Sequence, residues 1–440
     1  MNPAAGFDVQ QFIDQQPLSR FQLRIVALCG AILFMDGFDA QAIGFVAPAL
    51  IQQLHIARSV LGPVFSSGLV GIMIGALVFG PLADRLGRKP ILILCTALFG
   101  ICSLLTATAG TLQSLLVYRL ITGFGLGGAM PNAVALTSEY MPKRFRATAV
   151  MAMFSGFAIG AATGGFVAAA LIAGFGWRSV FVTGGVLPCL LAVLLLTLLP
   201  ESIRFLVMKR GEDARVAHSL ARIAPEITAP VTRFVVIEED HFRGFVVRDL
   251  FADGRSSGTL LLWVIFFMSL LDLYFLNNWL PTVIHDAGIT IERAIILTAL
   301  FQVGGVAGSL SLGRFIDRYL SFRVLAWTYL AASASVFLIG AAGVSVALLA
   351  CTIFAAGFAI IGGQSGANAL AAEFYPTAIR STGVGWALGI GRLGSIAGPL
   401  MGGALLSLQH ETRRIFWAAA IPVLIAALAA WQASRKAAAQ

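Results

Sequence analysis

Apolar runs of roughly 20 residues, each able to cross ~30 Å of hydrocarbon, recur along the whole of this chain. They fall at 22–46, 60–82, 90–109, 113–137, 147–173, 178–199, 258–282, 293–313, 323–342, 345–371, 381–407 and 413–432. No other feature limits the fold as much. A backbone in lipid must satisfy its N–H and C=O groups internally, so each run is read as a helix. The pattern predicts an all-α membrane protein with twelve transmembrane helices. Charge is scarce to match: 12% of the 440 residues are charged and 58% are hydrophobic, with a mean hydropathy of +0.88. Soluble domains carry about 25% charged residues.

The net charge of +9 invites a nucleic-acid reading, and position argues against it. With both termini on one side, alternate connections place 23 of the 30 Lys and Arg on that side and 5 on the other. Arg119 and Arg392 lie within runs. Short cytoplasmic loops collect Lys and Arg. The expectation is therefore a multi-pass protein of the bacterial inner membrane, monomeric, with both termini cytoplasmic and no nucleic-acid partner. The N-terminus has no basic segment leading into a short apolar stretch and a cleavage site, so no signal peptide is read. Cys29, Cys95, Cys102, Cys189 and Cys351 all sit in apolar runs, without CxxC or metal-ligand spacing. They are read as packing residues, and no disulfide, metal or cofactor is expected. His55, His218, His241, His285 and His410 lie outside the runs, and no Walker motif occurs. An enzyme and an ATP-driven pump both lack their chemistry here.

Residues 201–257 are the one long polar stretch, with nine basic and nine acidic residues. They divide the chain into a cytoplasmic segment at 1–21, a six-helix bundle at 22–200, the linker itself, a second six-helix bundle at 258–432 and a tail at 433–440. A short amphipathic helix is expected at 208–222 in an otherwise solvated linker. The two bundles align. Glu139, Pro142, Arg146 and Thr148 share their spacing with Glu373, Pro376, Arg380 and Thr382, 234 residues on. Asp84-Arg85 matches Asp317-Arg318, and Pro48 matches Pro281, both at offset 233. Gly160 and Gly164 match Gly394 and Gly398 at 234, and with Gly156 their small-xxx-small spacing permits close helix packing. Duplication of this kind builds transporters whose site lies near the midplane between the repeats.

The loop Gly80-Pro81-Leu82-Ala83-Asp84-Arg85-Leu86-Gly87-Arg88-Lys89 resembles the G-x-L-a-D-R-x-G-R-K signature of the major facilitator superfamily. The Arg119–Gly127 stretch resembles that superfamily's fourth-helix motif, and Pro200-Glu201-Ser202 with Arg204 its P-E-S-x-R. The resemblance covers essentially the whole chain and implies two pseudo-symmetric six-helix bundles of the major facilitator fold. A narrower likeness joins it. Asp36-Gly37-Phe38-Asp39 with the following Ala42–Pro48 stretch is similar to the first helix of the aromatic acid:proton symporters. Residues 8–20, Met130-Pro131-Asn132 with Ser138-Glu139-Tyr140, and Leu388–Arg392 look like their 4-hydroxybenzoate/protocatechuate members. This resemblance implies proton-driven uptake of a benzoate-like carboxylate. An exporter of the same fold stays open, because the direction of transport is not written in the residues.

Ionisable side chains inside a span are costly unless paired or hydrated, which makes each a functional candidate. Asp36 and Asp39 stand three apart on one helical face, ~5–6 Å from each other. Two carboxylates that close disfavour double ionisation, so the pair suits proton coupling. Counting ~1.5 Å per residue from the cytoplasmic end, Asp39 and Arg119 lie at similar depth and can pair, either as a coupling device or as a permanent salt bridge. Arg392 comes near the midplane. Arginine stays charged and grips a carboxylate bidentately, so Arg392 is the first choice for the substrate, with Asp272 a possible partner. Asp272 lies at offset 233 from Asp39 and departs from the family pattern, where an apolar residue is usual. Phe38, Tyr274, Asn277, Trp386, Gln364 and Asn368 are further candidates for the walls of an aromatic pocket.

Gating is assigned to the loop residues Gly80, Asp84, Arg85, Gly87, Arg88 and Lys89, with Glu139 and Arg146, and to their repeats Asp317, Arg318, Glu373 and Arg380. These charges can pair, or cap a neighbouring helix N-terminus, and so hold the cytoplasmic side closed. The Gly123-x-Gly125-x-Gly127 run lies inside an apolar span with no preceding strand, so a nucleotide-binding loop is rejected.

Overall fold

A computed structural model describes residues 7–54, 56–209, 212–224, 234–235, 247–252, 254–319, 322–343, 345–376, 379–408 and 412–437. Twelve long helices account for most of them. In the N-terminal half these are α1 (Arg20–Leu54), α2 (Leu61–Leu86), α3 (Arg88–Ala107), α4 (Leu112–Tyr140), α5 (Lys143–Phe175) and α6 (Arg178–Leu198). In the C-terminal half they are α7 (Ser256–Asp286), α8 (Ile291–Tyr319), α9 (Phe322–Ala341), α10 (Val346–Phe374), α11 (Arg380–Ser407) and α12 (Thr412–Ala437). Eleven are long and apolar enough to cross a membrane. The remaining one, α11, is diluted by eight glycines and Arg392, yet it packs along α7 as α5 packs along α1.

The expected spans hold, with longer ends. The sequence reading stops the first and seventh spans near Pro48 and Pro281, but both prolines lie inside α1 and α7. A proline in a buried helix is tolerated when neighbouring groups satisfy the freed carbonyl, so the helix outruns its most apolar stretch.

The repeat is visible in the packing. Gly160 and Gly164 of α5 lie against Phe34 and Phe38 of α1, while Gly394 and Gly398 of α11 lie against Phe267 and Leu271 of α7. The four partners are themselves related by 233 residues. A Cβ on Gly160 or Gly394 would collide with the backbone carbonyl of Phe34 or Phe267, so small residues set the helix separation. The halves meet along α1–α7 and along the equivalent pairs α2–α11 and α5–α8.

The described residues of the linker are less solvated than its composition suggests. Ser202 caps a short helix, Ile203–Met208, by accepting the Phe205 N–H at 3.0 Å. The expected amphipathic helix runs from Asp213 to Ile223 and buries Val216, Leu220 and Ile223. The expected span of 208–222 begins earlier and crosses Arg210 and Gly211, which lie outside the described residues. Phe234–Val235 pairs in parallel with Phe7–Asp8. Asp14, on the helix Val9–Gln15, accepts the Lys143 N–H at the start of α5 (2.8 Å), and Arg222 stacks over Phe21. Both described stretches thus dock on the N-terminal half.

Candidate functional site

A cavity of about 660 Å³ lies between the two halves. Its walls come from α1, α2, α4 and α5 on one side and from α7 and α11 on the other. Phe65, Ile43 and Asn278 form its deep part, while Leu77, Val134, Phe154 and Leu388 line it toward the end of the bundle that carries the termini. At the opposite end the halves are joined. Arg58 and Asp286 pair at 2.9 Å, Gln52 and His285 are 2.9 Å apart, and Ser66 donates to the Ile396 carbonyl at 2.8 Å. Gly44 lets α1 reach α7, since a Cβ there would sit 2.6 Å from the Asn277 carbonyl.

The two aspartates of α1 turn to different neighbours. Asp39 is fully buried and meets Arg119 of α4 at 3.0 Å. Its second oxygen accepts from Ser103 of α3 at 3.2 Å. The Arg119 guanidinium also stands 5.9 Å from the centre of the Phe181 ring. Asp36, one turn earlier, lines the cavity, as does Arg119. The pairing expected from depth alone is therefore present, and it leaves Asp36 as the carboxylate at the cavity wall.

Of the remaining expected residues, Arg392 and Tyr274 line the cavity, with the Arg392 Nη1 3.4 Å from the Tyr274 hydroxyl. The others stand elsewhere. Phe38 is buried against Gly164 and Gly184. Asn277 is buried and accepts from Gln302 at 2.7 Å. Trp386 stacks on Trp263, and Gln364 and Asn368 bond to one another at 3.4 Å. The suggested pairing of Arg392 with Asp272 is not formed: Asp272 is fully buried, and neither of its oxygens has a hydrogen-bond partner. These helices are apolar on faces toward lipid and toward protein alike, so periodicity alone cannot say which polar side chain meets the cavity. Asn278 was missed, although it follows Tyr274 by four residues and so shares its face.

At the end that carries the termini, the charged loops form one network within the N-terminal half. Arg88 meets Glu139 at 3.0 Å, and Ser202 donates to the other Glu139 oxygen at 2.5 Å. Glu201 accepts the backbone N–H groups of Arg88 (2.8 Å), Lys89 (3.1 Å) and Ser202 (2.7 Å). A carboxylate thus caps the N-terminus of α3, a stabilising place for a negative charge. Gly87 opens that turn at φ 102° with Glu201 packed against its Cα, which leaves no room for a side chain. The capping acid comes from the P-E-S stretch, not from the loop's own Asp84, which is exposed and 4.0 Å from Arg88. Arg85 and Glu373 are exposed, and Gly80 has open space around it. Lys89 donates to the Leu196 carbonyl at 2.8 Å, and Arg380 reaches the Tyr375 carbonyl at 3.4 Å. The buried Nε of Arg146 is unpartnered. The side chains of Asp317 and Arg318 lie outside the described residues.

Residues 29–246 and 262–439 match the family model described as the Major Facilitator Superfamily. The chain belongs to that superfamily. It is a multi-pass membrane transporter and not an enzyme. It is 46% identical to the 4-hydroxybenzoate transporter PcaK of Pseudomonas aeruginosa, over 96% of this chain and 94% of that protein. It is 43% identical to the gallate transporter of Pseudomonas putida, over 97% and 94%. The 3-(3-hydroxy-phenyl)propionate transporter of Escherichia coli K12 is 39% identical, over 93% of each. Solved structures repeat the fold. A bacterial homolog of the lysosomal transporter Spinster, inward-facing and unoccupied, superposes with a TM-score of 0.72 at 19% identity, covering 94% of this chain and 97% of that one. The xylose transporter XylE of E. coli, partially occluded and inward open, gives 0.70 at 18% identity, covering 94% and 98%.

Proposed function

We propose that this major facilitator protein is a proton symporter that carries aromatic carboxylates such as 4-hydroxybenzoate, protocatechuate or gallate into the cell across the bacterial inner membrane. The reading places both termini in the cytoplasm, as the Lys and Arg distribution supports. The cavity then faces the cytoplasm, and the Arg58–Asp286 end is the closed outer gate.

The observation that carries the reading is the placement of four charges about one apolar cavity. Asp36 and Arg119 come from the N-terminal half and Arg392 from the C-terminal half, with Asp39 behind Arg119. Ionised, two aspartates and two arginines sum to zero. A bound carboxylate brings one negative charge into a region of low dielectric, where an unpaired charge is costly. One proton on Asp36 cancels it. The protonated acid no longer competes for Arg392, which then takes the substrate carboxylate while Tyr274 and Phe65 flank the ring. Without substrate, proton loading would leave a net positive site, so each ligand favours the other. That reciprocity is the substance of symport.

Asp39 and Arg119 hold the α1–α4 contact during the cycle. The Arg88–Glu139–Ser202 and Glu201 network fixes α3 as one rigid piece of the N-terminal half, and rocking of the two halves alternates access. The test is uptake of radiolabelled 4-hydroxybenzoate into proteoliposomes, with and without an inward proton gradient, against unlabelled gallate, benzoate and glucose. Gradient-driven accumulation blocked by aromatic acids and not by glucose is the expected result. Absent accumulation in both membrane orientations would sink the substrate assignment. Efflux driven by a reversed gradient alone would identify an exporter.

A further inference from the structure

One ionisable side chain inside the membrane plays no part in the site above. Asp272 of α7 has no exposed surface, neither of its oxygens has a hydrogen-bond partner, and it forms no ion pair among the described residues. Its place in α7 is that of Asp39 in α1, 233 residues earlier. What Asp39 has, Asp272 lacks. At the offset of 234 that relates α4 to α10, Arg119 becomes Ile353, and Ser103 becomes Val336 at 233 or Phe337 at 234, so an apolar residue stands in place of each donor. An ionised carboxylate in this position would keep several kcal/mol of uncompensated desolvation. The arrangement suits the neutral acid, whose O–H is the proton.

Among the described residues, the helices packed against α7 bring no counter-ion to Asp272. Within the depth of the membrane they carry Asp36 and Asp39 on α1 and Arg392 on α11. The first and last line the cavity, and Asp39 is tied to Arg119. Arg20 and Arg24 of α1, Glu292 and Arg293 of α8, Glu373 of α10, Arg380 of α11, and Arg413, Arg414 and Arg435 of α12 lie near helix ends. So do Arg314, Asp317 and Arg318 of α8, whose side chains lie outside the described residues.

A line of polar side chains does lead away from Asp272. Ser269 lies one turn earlier on the same face, ~5–6 Å away between Cβ atoms. Its hydroxyl donates to the Gln364 carbonyl oxygen, and the Gln364 amide donates to Asn368 at 3.4 Å. Tyr329 is buried beside Ser269. Asn368 is exposed and six residues from Phe374, where α10 ends, or ~9 Å along the axis. Ser269, Gln364 and Asn368 are bonded in sequence, as polar atoms in an apolar helix core must be to be tolerated.

We propose that Asp272 is a second proton-binding site, carried by the C-terminal half, with its own polar route to the cytoplasmic end through Ser269, Gln364 and Asn368. Loading forms one O–H bond on a carboxylate oxygen. Release breaks it, returns the carboxylate and delivers the proton to the cytoplasm, with no other bond changed. The proposal rests on the proton-symport reading and adds to it: Asp36 balances the substrate anion, and the Asp272 proton moves as net positive charge, so uptake responds to membrane potential.

Two measurements on the full-length protein decide it. In proteoliposomes, the 4-hydroxybenzoate gradient at which net flux vanishes, under set pH and potassium gradients, gives the number of protons per substrate. Asp272→Asn, which keeps the shape of the side chain, is expected to lose one proton per substrate and the response to potential. An unchanged ratio with retained uptake overturns the proposal. Infrared difference spectra of the purified protein report the protonated acid directly. A carboxylic acid band that disappears in Asp272→Asn and survives in Asp36→Asn supports the site, whether or not either variant still transports; its absence from the wild type overturns it. If the wild type moves no aromatic acid, the substrate reading fails while the infrared result still decides Asp272.

Discussion

In the N-terminal half Asp39 meets Arg119 at 3.0 Å and Ser103 at 3.2 Å; in the C-terminal half Asp272, at the equivalent position, meets no donor. The surrounding architecture is the same, with α7 against α11 as α1 is against α5. The difference lies in a few side chains of the neighbouring helices. A buried ion pair keeps its desolvation cost whether or not transport occurs, and its benefit is a fixed geometry. A lone buried carboxyl has no fixed partner and is suited to change its proton. The repeat thus sets two carboxyls at equivalent places, one held in an ion pair and one without a hydrogen-bond partner.

The comparison can be broken most severely at the anchor. Asp39→Asn leaves Arg119 charged and unpaired in the interior, a loss of about 3–5 kcal/mol. The thermal unfolding midpoint in detergent should fall sharply and uptake should reach background. Adding Arg119→Gln should restore most of the midpoint and none of the uptake. Arg392→Ala removes the proposed grip on the substrate without leaving a buried partner, because Arg392 is half-buried beside Tyr274. Binding of 4-hydroxybenzoate should weaken on the order of 100-fold, about 3 kcal/mol, with the midpoint nearly unchanged.

Asp272 should give the opposite sign. Asp272→Leu replaces an unpartnered carboxyl with an apolar group and should raise stability by about 1–3 kcal/mol, seen as a higher midpoint. A fall as large as that of Asp39→Asn would mean that Asp272 has a structural partner after all. Glu201→Gln keeps the shape of the α3 cap and removes its charge, and a loss of about 1 kcal/mol is expected from the same unfolding measurement. The smallest effect belongs to the outer end. Arg58 is half-exposed in its pair with Asp286, so Arg58→Ala should cost only ~0.2–1 kcal/mol. That suffices to move the balance of inward and outward states up to about fivefold. The labelling rate of a cysteine placed at Phe65, with Cys351→Ala as background, would report the change from the outer side.

Much of this was legible from residue order. The twelve spans follow from hydropathy, and the repeat follows from matched charges and glycines whose three-dimensional partners are also matched. Asp39 and Arg119 could be paired because depth along a helix is fixed at ~1.5 Å per residue. Rotation about the helix axis was not legible. Phe38, Asn277, Trp386, Gln364 and Asn368 were reasonable guesses for an aromatic pocket, but the packed geometry turns them into contacts outside the cavity. In a soluble protein a polar face marks the side away from the core. Here lipid and core are both apolar, and that marker is lost. The Glu201 cap was hidden for another reason: it links residues 113 apart, a separation that local pattern does not span.

The docking of Phe7–Asp8 beside Phe234–Val235 sets the length of a leash. Because Phe234–Val235 is paired with Phe7–Asp8, only eleven residues of chain separate that pairing from Val247 at the C-terminal half. Fully stretched, that tether spans at most about 40 Å. Swinging between inward and outward states fits within that reach. Wide separation of the halves does not, so the tether would bring them back into register after each cycle, at an effective concentration that a free pair of half-proteins could not reach.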